Sequence, residues 1–147
     1  MKKTLMVAVV GALVAGGATL ALAQADVIKQ RQDNRKETAA TMRSIKGVID
    51  AKGDVKAVVA SAAKLKQLEL AFDKLFPAGS DKGETKALPA VWSDMAGFQA
   101  ASKNADAAYD KLAVAAGSGD LAAVTAAFGD TGKACGACHD KFRAKAN

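Results

Sequence analysis

Histidine occurs once in the 147 residues, cysteine twice and proline twice, and aromatic residues make up only 5%. Nowhere does the chain alternate apolar and polar residues as a half-buried strand does, so the fold class cannot rest on sheets. The formal net charge is +6, yet no block of lysine and arginine concentrates it. That removes the case for a nucleic-acid partner and leaves a mildly basic, solvated surface suited at most to an acidic protein partner. The low aromatic content is lean for a core of this length. Alanines recur at positions that should face a core, which implies close helix approach or space for something other than side chains.

What is present begins with Met1-Lys2-Lys3, followed by an apolar stretch from Leu5 to Leu22 and the small-residue end Ala21-Leu22-Ala23. A stretch of that length barely spans a bilayer. Gly11, Gly16, Gly17 and the small residues before Gln24 favour an export leader over residues 1–23, cleaved to leave a mature domain of residues 24–147 in the periplasm with no membrane anchor. Lys2 and Lys3 leave with the leader, which holds no acidic residue, so the mature charge falls from +6 to +4.

The mature chain carries four amphipathic segments. The first runs from about Asp26 to Ala51 and ends at Gly53. The second opens at Asp54, a plausible N-cap, bears Val55, Val58, Ala62, Leu65, Leu68, Phe72 and Leu75, and stops at Pro77. Residues 78–86 are polar and aperiodic, the one long connection. Pro89 suits the first turn of a third helix bearing Met95, Phe98, Ala105, Ala108 and Leu112. After Gly117-Ser118-Gly119, Asp120 caps a fourth, in which Leu121, Phe128, Cys135 and Phe142 fall seven apart with Val124, Thr131 and Cys138 between them. These periods predict an all-α, up-down antiparallel four-helix bundle.

Both cysteines and the lone histidine fall within Lys133–Arg143. Cys135, Cys138 and His139 stand at i, i+3 and i+4, on one helical face. A disulfide three residues apart would constrain little of the unfolded chain. A structural zinc site normally takes four protein ligands, and the usual fourth is missing. A dithiol redox motif belongs beside a βαβ pattern, which is absent. A pair of inert core cysteines would leave the lone histidine beside them unexplained, whereas covalent haem attachment accounts for all three: C-x-x-C-H lets two thiols form thioethers with the haem vinyl groups while the next imidazole reaches the iron. One covalent haem c per chain would also fill the space that the alanines leave.

Two arginines interrupt the apolar stripe of the first helix, Arg31 and Arg35. A buried guanidinium needs an anion or a route to water. Haem propionates would supply the anion, and snorkelling from an open end would supply the route. Phe76 and Trp92 suit either the surroundings of the cofactor or an ordinary core.

Taken together, the leader, the helical segments and the C-terminal Cys135-Gly-Ala-Cys138-His139 with Phe142-Arg143 resemble cytochrome c′, the class II c-type cytochromes. The stretches "VIKQRQDN" (27–34), "FPAGSD" (76–81), "LPAVW" (88–92) and "AAFGDTGKACGACHDKFR" (126–143) carry the same likeness. The resemblance implies a bundle, usually homodimeric, with one covalent haem whose iron is commonly five-coordinate and high-spin. It gives Cys135 and Cys138 the thioether role, His139 the axial-ligand role, Arg31 a place at a propionate and Arg143 a place beside the proximal imidazole. Where such proteins usually have an apolar residue over the distal face, or methionine as sixth ligand, this chain has Arg35.

Arginine keeps its proton and offers iron no lone pair. The expectation is therefore a site open to diatomic gases such as NO and CO, with Arg35 turned to a propionate or donating to the bound gas. One-electron exchange with a periplasmic redox partner needs no further residue. The alternative is a low-spin, six-coordinate carrier ligated by Met42 or Met95 in a shifted register. Catalysis comes last, because a distal acid–base group is not apparent once His139 is committed to iron, and the chain is expected not to be an enzyme. Val48, Val59 and Ala63 are surplus apolar positions compatible with a dimer interface.

Overall fold

The structure is a computed structural model that describes the backbone of residues 15–145 and the side chains of residues 24–145. The side chains of the leader assigned to residues 1–23 lie outside that description. Four long helices make the bundle: α1 (Ala15–Asp50), α2 (Val58–Phe72), α4 (Met95–Ser118) and α5 (Leu121–Phe142). A short α3 (Ala90–Ser93) precedes α4, and single 3₁₀ turns, Val55–Ala57 and Asp73–Leu75, flank α2. Among the described residues no strand forms. One isolated bridge pairs Ala87 with Arg143.

The helix ends follow local chemistry. Lys52 takes the left-handed conformation at φ 50°, and the Gly53 N–H returns to the Val48 carbonyl at 2.9 Å, closing α1 as a Schellman turn. Asp54 accepts from the Lys56 N–H at 3.0 Å, and Asp120 accepts from the Ala122 and Ala123 N–H groups at 2.8 and 3.3 Å. Gly119, at φ 77°, turns the chain between α4 and α5.

One expectation needs correction: the third segment is not a single helix from Pro89. It breaks at Asp94, whose carboxylate accepts from the Gly97 N–H at 3.0 Å and caps α4. An aspartate that bonds the backbone in this way competes with continuing the helix. Gly97 is needed for it, because a Cβ there would collide with the Asp94 carboxylate.

Two cores form. Ile45, Val58, Leu65, Tyr109, Leu112, Ala116 and Val124 pack at the end carrying the α1–α2 and α4–α5 turns. At the other end Phe76, Val91, Phe98 and Phe142 pack together, with Phe72, Trp92 and Met95 against them. The helix α4 lies against both α2 and α5, and α1 packs on α2, but α1 and α5 scarcely touch. The space between them is where the site lies. Val48 packs on the first core, whereas Val59 and Ala63 are exposed.

Leu112 is fully buried at 0% exposure and Val114, two residues on, is 77% exposed. Leu112→Ala should cost about 2–5 kcal/mol of stability, and Val114→Ala should stay within about 0.5 kcal/mol. Denaturant unfolding of the two variants side by side checks both.

Candidate functional site

Helix α5 turns Val124, Thr131 and Phe142 fully inward; between them Cys135 and Cys138 are half-buried, and His139 is the more exposed of the three. All three line a cavity of about 600 Å³ between α1 and α5, inside the range of roughly 300–1,000 Å³ usual for cofactor sites. Its walls are largely apolar, with Ile28 from α1, Phe72 and Phe76 from the α2 end, Phe98 from α4 and Phe142 from α5. The sequence has five Phe, one Trp and one Tyr; Phe128 and Tyr109 pack in the other core, although Tyr109 also lines the cavity. Edge contacts at 4.8 Å link Phe76 to both Phe72 and Phe98, and Phe98 meets Phe142 at 5.4 Å. Most of the scarce aromatics are thus spent at one end of the bundle.

Burial is the main influence on the three chemically distinctive groups. It pushes the Cys138 thiol up to about 11 and raises Cys135, whose sulfur lies 3.9 Å from the Tyr109 hydroxyl. Burial also lowers His139, helped by the nearby positive charges of Arg143 and Arg35. The imidazole is therefore held in its neutral form, which has the lone pair a metal needs.

Arg31 and Arg35 both have partners within the protein. Arg31 is 5% exposed, so it does not snorkel. Its Nε donates to the Leu75 carbonyl at 2.6 Å, Nη1 to the Ser80 carbonyl at 2.9 Å, and Nη2 to Ser80 Oγ. The guanidinium lies 4.3 Å from the Phe76 ring centroid and 5.3 Å from that of Trp92. Backbone carbonyls thus meet much of the need that the sequence argument assigned to an anion. Arg31 still lines the cavity, and two of its five N–H donors are uncommitted to these bonds.

Arg35 also lines the cavity. Its Nη1 donates to Glu69 Oε2 at 2.7 Å, and its guanidinium lies 3.3 Å over the Phe72 ring. Nε and Nη2 are buried with no acceptor. Arg143 is exposed at the cavity rim; its backbone N–H donates to the His139 carbonyl at 3.1 Å. Phe76 and Trp92 both belong to the aromatic cluster, and the Trp92 Nε1 donates to the Pro77 carbonyl at 3.2 Å. Met42 lines the cavity, whereas Met95 lies in the aromatic cluster.

Four polar residues at or behind the site were not foreseen. Glu69 is buried, lines the cavity and holds Arg35. Behind it the Ser102 hydroxyl lies 3.1 Å from Glu69 Oε1 and 2.6 Å from Asp73 Oδ1, and Asp106 stands close by on α4. The signal for Glu69 was in the pattern: the stripe Val58, Ala62, Leu65 reaches position 69 at its next step of four.

A covalent haem fits these residues. Two thiols and a neutral imidazole open on to one apolar cavity of sufficient size, and a guanidinium there has buried donors without a partner. The sequence profile described as Cytochrome C′ matches residues 26–143. The chain is 36% identical to cytochrome c′ of Rhodopseudomonas palustris over 149 aligned positions, 96% of this chain and 97% of that one. Cytochrome c′ of Rubrivivax gelatinosus is 56% identical over 71 residues, a stretch spanning 48% of this chain and 55% of that protein. A crystal structure of cytochrome c′ from the same organism superposes with a TM-score of 0.74 at 40% identity, over 82% of this chain and 97% of that one. A variant of cytochrome c′ from Alcaligenes xylosoxidans, solved as its nitric oxide complex, gives a TM-score of 0.76 at 33% identity, over 84% and 97%. With the attachment residues on α5, the four helices around them and a family match over residues 26–143, the chain belongs to the cytochrome c′ family.

Proposed function

We propose that this chain is a periplasmic haem c protein, carrying one covalent haem, that binds diatomic gases at a five-coordinate high-spin iron and exchanges single electrons. When bound, the haem supplies a one-electron couple and an iron site for a small ligand. Everything else is the work of this chain's residues. Cys135 and Cys138 hold the ring through thioethers, and His139, kept neutral by burial, presents an imidazole nitrogen to the metal. The aromatic cluster keeps that end of the cavity dry. Arg31, with two donors to spare, reaches a propionate, and Arg143 stands beside the proximal imidazole.

The observation that carries the reading is the pairing of that α5 wall with Arg35 on the α1 side of the same cavity. A guanidinium cannot ligate iron, so the residue in the expected capping place leaves a coordination position to small ligands. Related proteins support the gas reading: variants of the Alcaligenes xylosoxidans protein have been solved with nitric oxide and with carbon monoxide bound. The competing reading, a six-coordinate low-spin carrier, draws on Met42, whose side chain lines the cavity. Export of residues 24–147 after cleavage, a homodimer using exposed apolar positions such as Val59 and Ala63, and an electron-exchanging periplasmic partner belong to the same proposal.

Protein matured in a host with haem-attachment machinery should have the mass of residues 24–147 plus one haem. Changing both cysteines to alanine should leave no covalent haem by mass spectrometry. The visible spectrum separates the two readings. A high-spin ferrous band that shifts on adding NO or CO is expected, whereas a low-spin spectrum insensitive to both gases, converted to high-spin by Met42→Leu, would establish the carrier alone.

A further inference from the structure

The cavity contains an acid–base pair, one member of which, Glu69, has no part in the gas binding and electron exchange proposed above. Glu69, with its side chain 8% exposed, and Arg35, at 29%, form an ion pair at 2.7 Å, and both groups face the cavity. A carboxylate can take and return a proton, and a fixed guanidinium can stabilise negative charge on a departing oxygen. Arg35 has the means to do so, because Nε and Nη2 are buried without an acceptor.

The surroundings connect Glu69 to a proton source. Ser102 has one hydroxyl proton, yet its oxygen lies within hydrogen-bond distance of two carboxylates, Glu69 at 3.1 Å and Asp73 at 2.6 Å. Were both acids ionised, one of these contacts would set lone pairs against lone pairs. A proton on Asp73 satisfies all of them: Asp73 donates to Ser102, Ser102 donates to Glu69, and Glu69 also accepts from Arg35. Desolvation works in the same direction on Asp73, raising its pKa, with the Glu69 charge adding to the rise. Asp73 is only half-buried, so the chain of groups Asp73–Ser102–Glu69 runs from the solvent side to the cavity.

We propose that Glu69 and Arg35 form the acid–base pair for two-electron reduction of a small hydroperoxide, hydrogen peroxide in the first instance, with protons arriving through Asp73 and Ser102. The proposal rests on the haem reading above. Glu69 takes the proton from one peroxide oxygen and returns it to the other. The O–O bond breaks, the departing oxygen leaves as water, and Arg35 stabilises its charge as it departs. The two electrons come one at a time from an external donor, for which the bound haem would supply the couple, and with two protons from the relay they convert the second oxygen to water. The balance is H₂O₂ + 2H⁺ + 2e⁻ → 2H₂O.

The test uses the haem-loaded protein, hydrogen peroxide and a one-electron dye donor, with Glu69→Gln, Ser102→Ala and Asp73→Asn beside the parent. Glu69→Gln should lower kcat/KM for peroxide by about 10²–10⁴-fold while the haem absorption band stays, and Ser102→Ala should lower kcat. Independently of turnover, difference infrared spectroscopy at neutral pH should find a protonated-carboxyl stretch that disappears in Asp73→Asn. Parental kcat/KM in Glu69→Gln, or no carboxyl band lost in Asp73→Asn, overturns the proposal. Should Glu69→Gln fail to fold, Ser102→Ala and the infrared band decide. A preparation without a haem band would mark failure of the earlier reading, a signature distinct from a haem-loaded protein inert to peroxide.

Discussion

The distance between α1 and α5 governs everything the site can do, and polar tethers hold α1 in place. Along its length α1 sends side chains to the end of α2 and the connection beyond it. Gln24 donates to the Gly79 carbonyl at 2.8 Å, Arg31 to Leu75 and Ser80, Gln32 to the Glu84 carbonyl at 3.0 Å, and Asn34 to the Leu68 carbonyl at 2.8 Å. A second strap holds the opposite wall. Leu88 N–H donates to Phe142 and Ala144 N–H to Lys86, at 3.0 and 2.8 Å, tying the end of α5 to the segment before α3. Each bond contributes only about 1 kcal/mol net, but each is directional, and a buried donor left without its carbonyl would cost more than the bond contributes. Apolar packing alone would draw α1 on to α5. Directional bonds to the backbone elsewhere fix it at a stand-off.

This division of labour explains what could and could not be read in the sequence. The seam of α5 was legible because its positions repeat every seven residues; Cys135 and Cys138 fall on it, and His139 stands four residues from Cys135 on the same face. Helix ends at Asp54, Gly119 and Asp120 were legible because capping is local. The break at Asp94 was not, since Pro89 and the following apolar residues read as one helix until the side chain of Asp94 is seen to choose the Gly97 N–H. Arg31 shows the deeper limit. Its charge and its place in the stripe marked it as needing a partner, but the partners are carbonyls of Leu75 and Ser80, and every residue has a carbonyl. Which of them point inward depends on how the connection folds, and composition is silent on that. Glu69 escaped for the opposite reason: it sits in a legible stripe, but Leu68 beside it offers a more conventional reading of the same turn.

The Arg35–Glu69 pair is hard to explain as a stabilising device. Removing two charges from water costs several kcal/mol each, and apolar side chains of similar size commonly serve a core as well or better. The cavity already has the aromatic residues to do so. Nor does the pair exhaust its own bonding capacity: Glu69 is bonded by Arg35 and Ser102, but Arg35 keeps two buried donors idle. A group built only to neutralise a neighbour would be expected to turn those donors to water or to a carbonyl, as Arg31 does one turn earlier. Instead the Phe72 ring lies against the guanidinium, its centroid 3.3 Å from Cζ. A cation held rigid, paired on one side and unpaired on the other, facing two thiols and an imidazole, is arranged for something that enters the cavity and accepts hydrogen bonds.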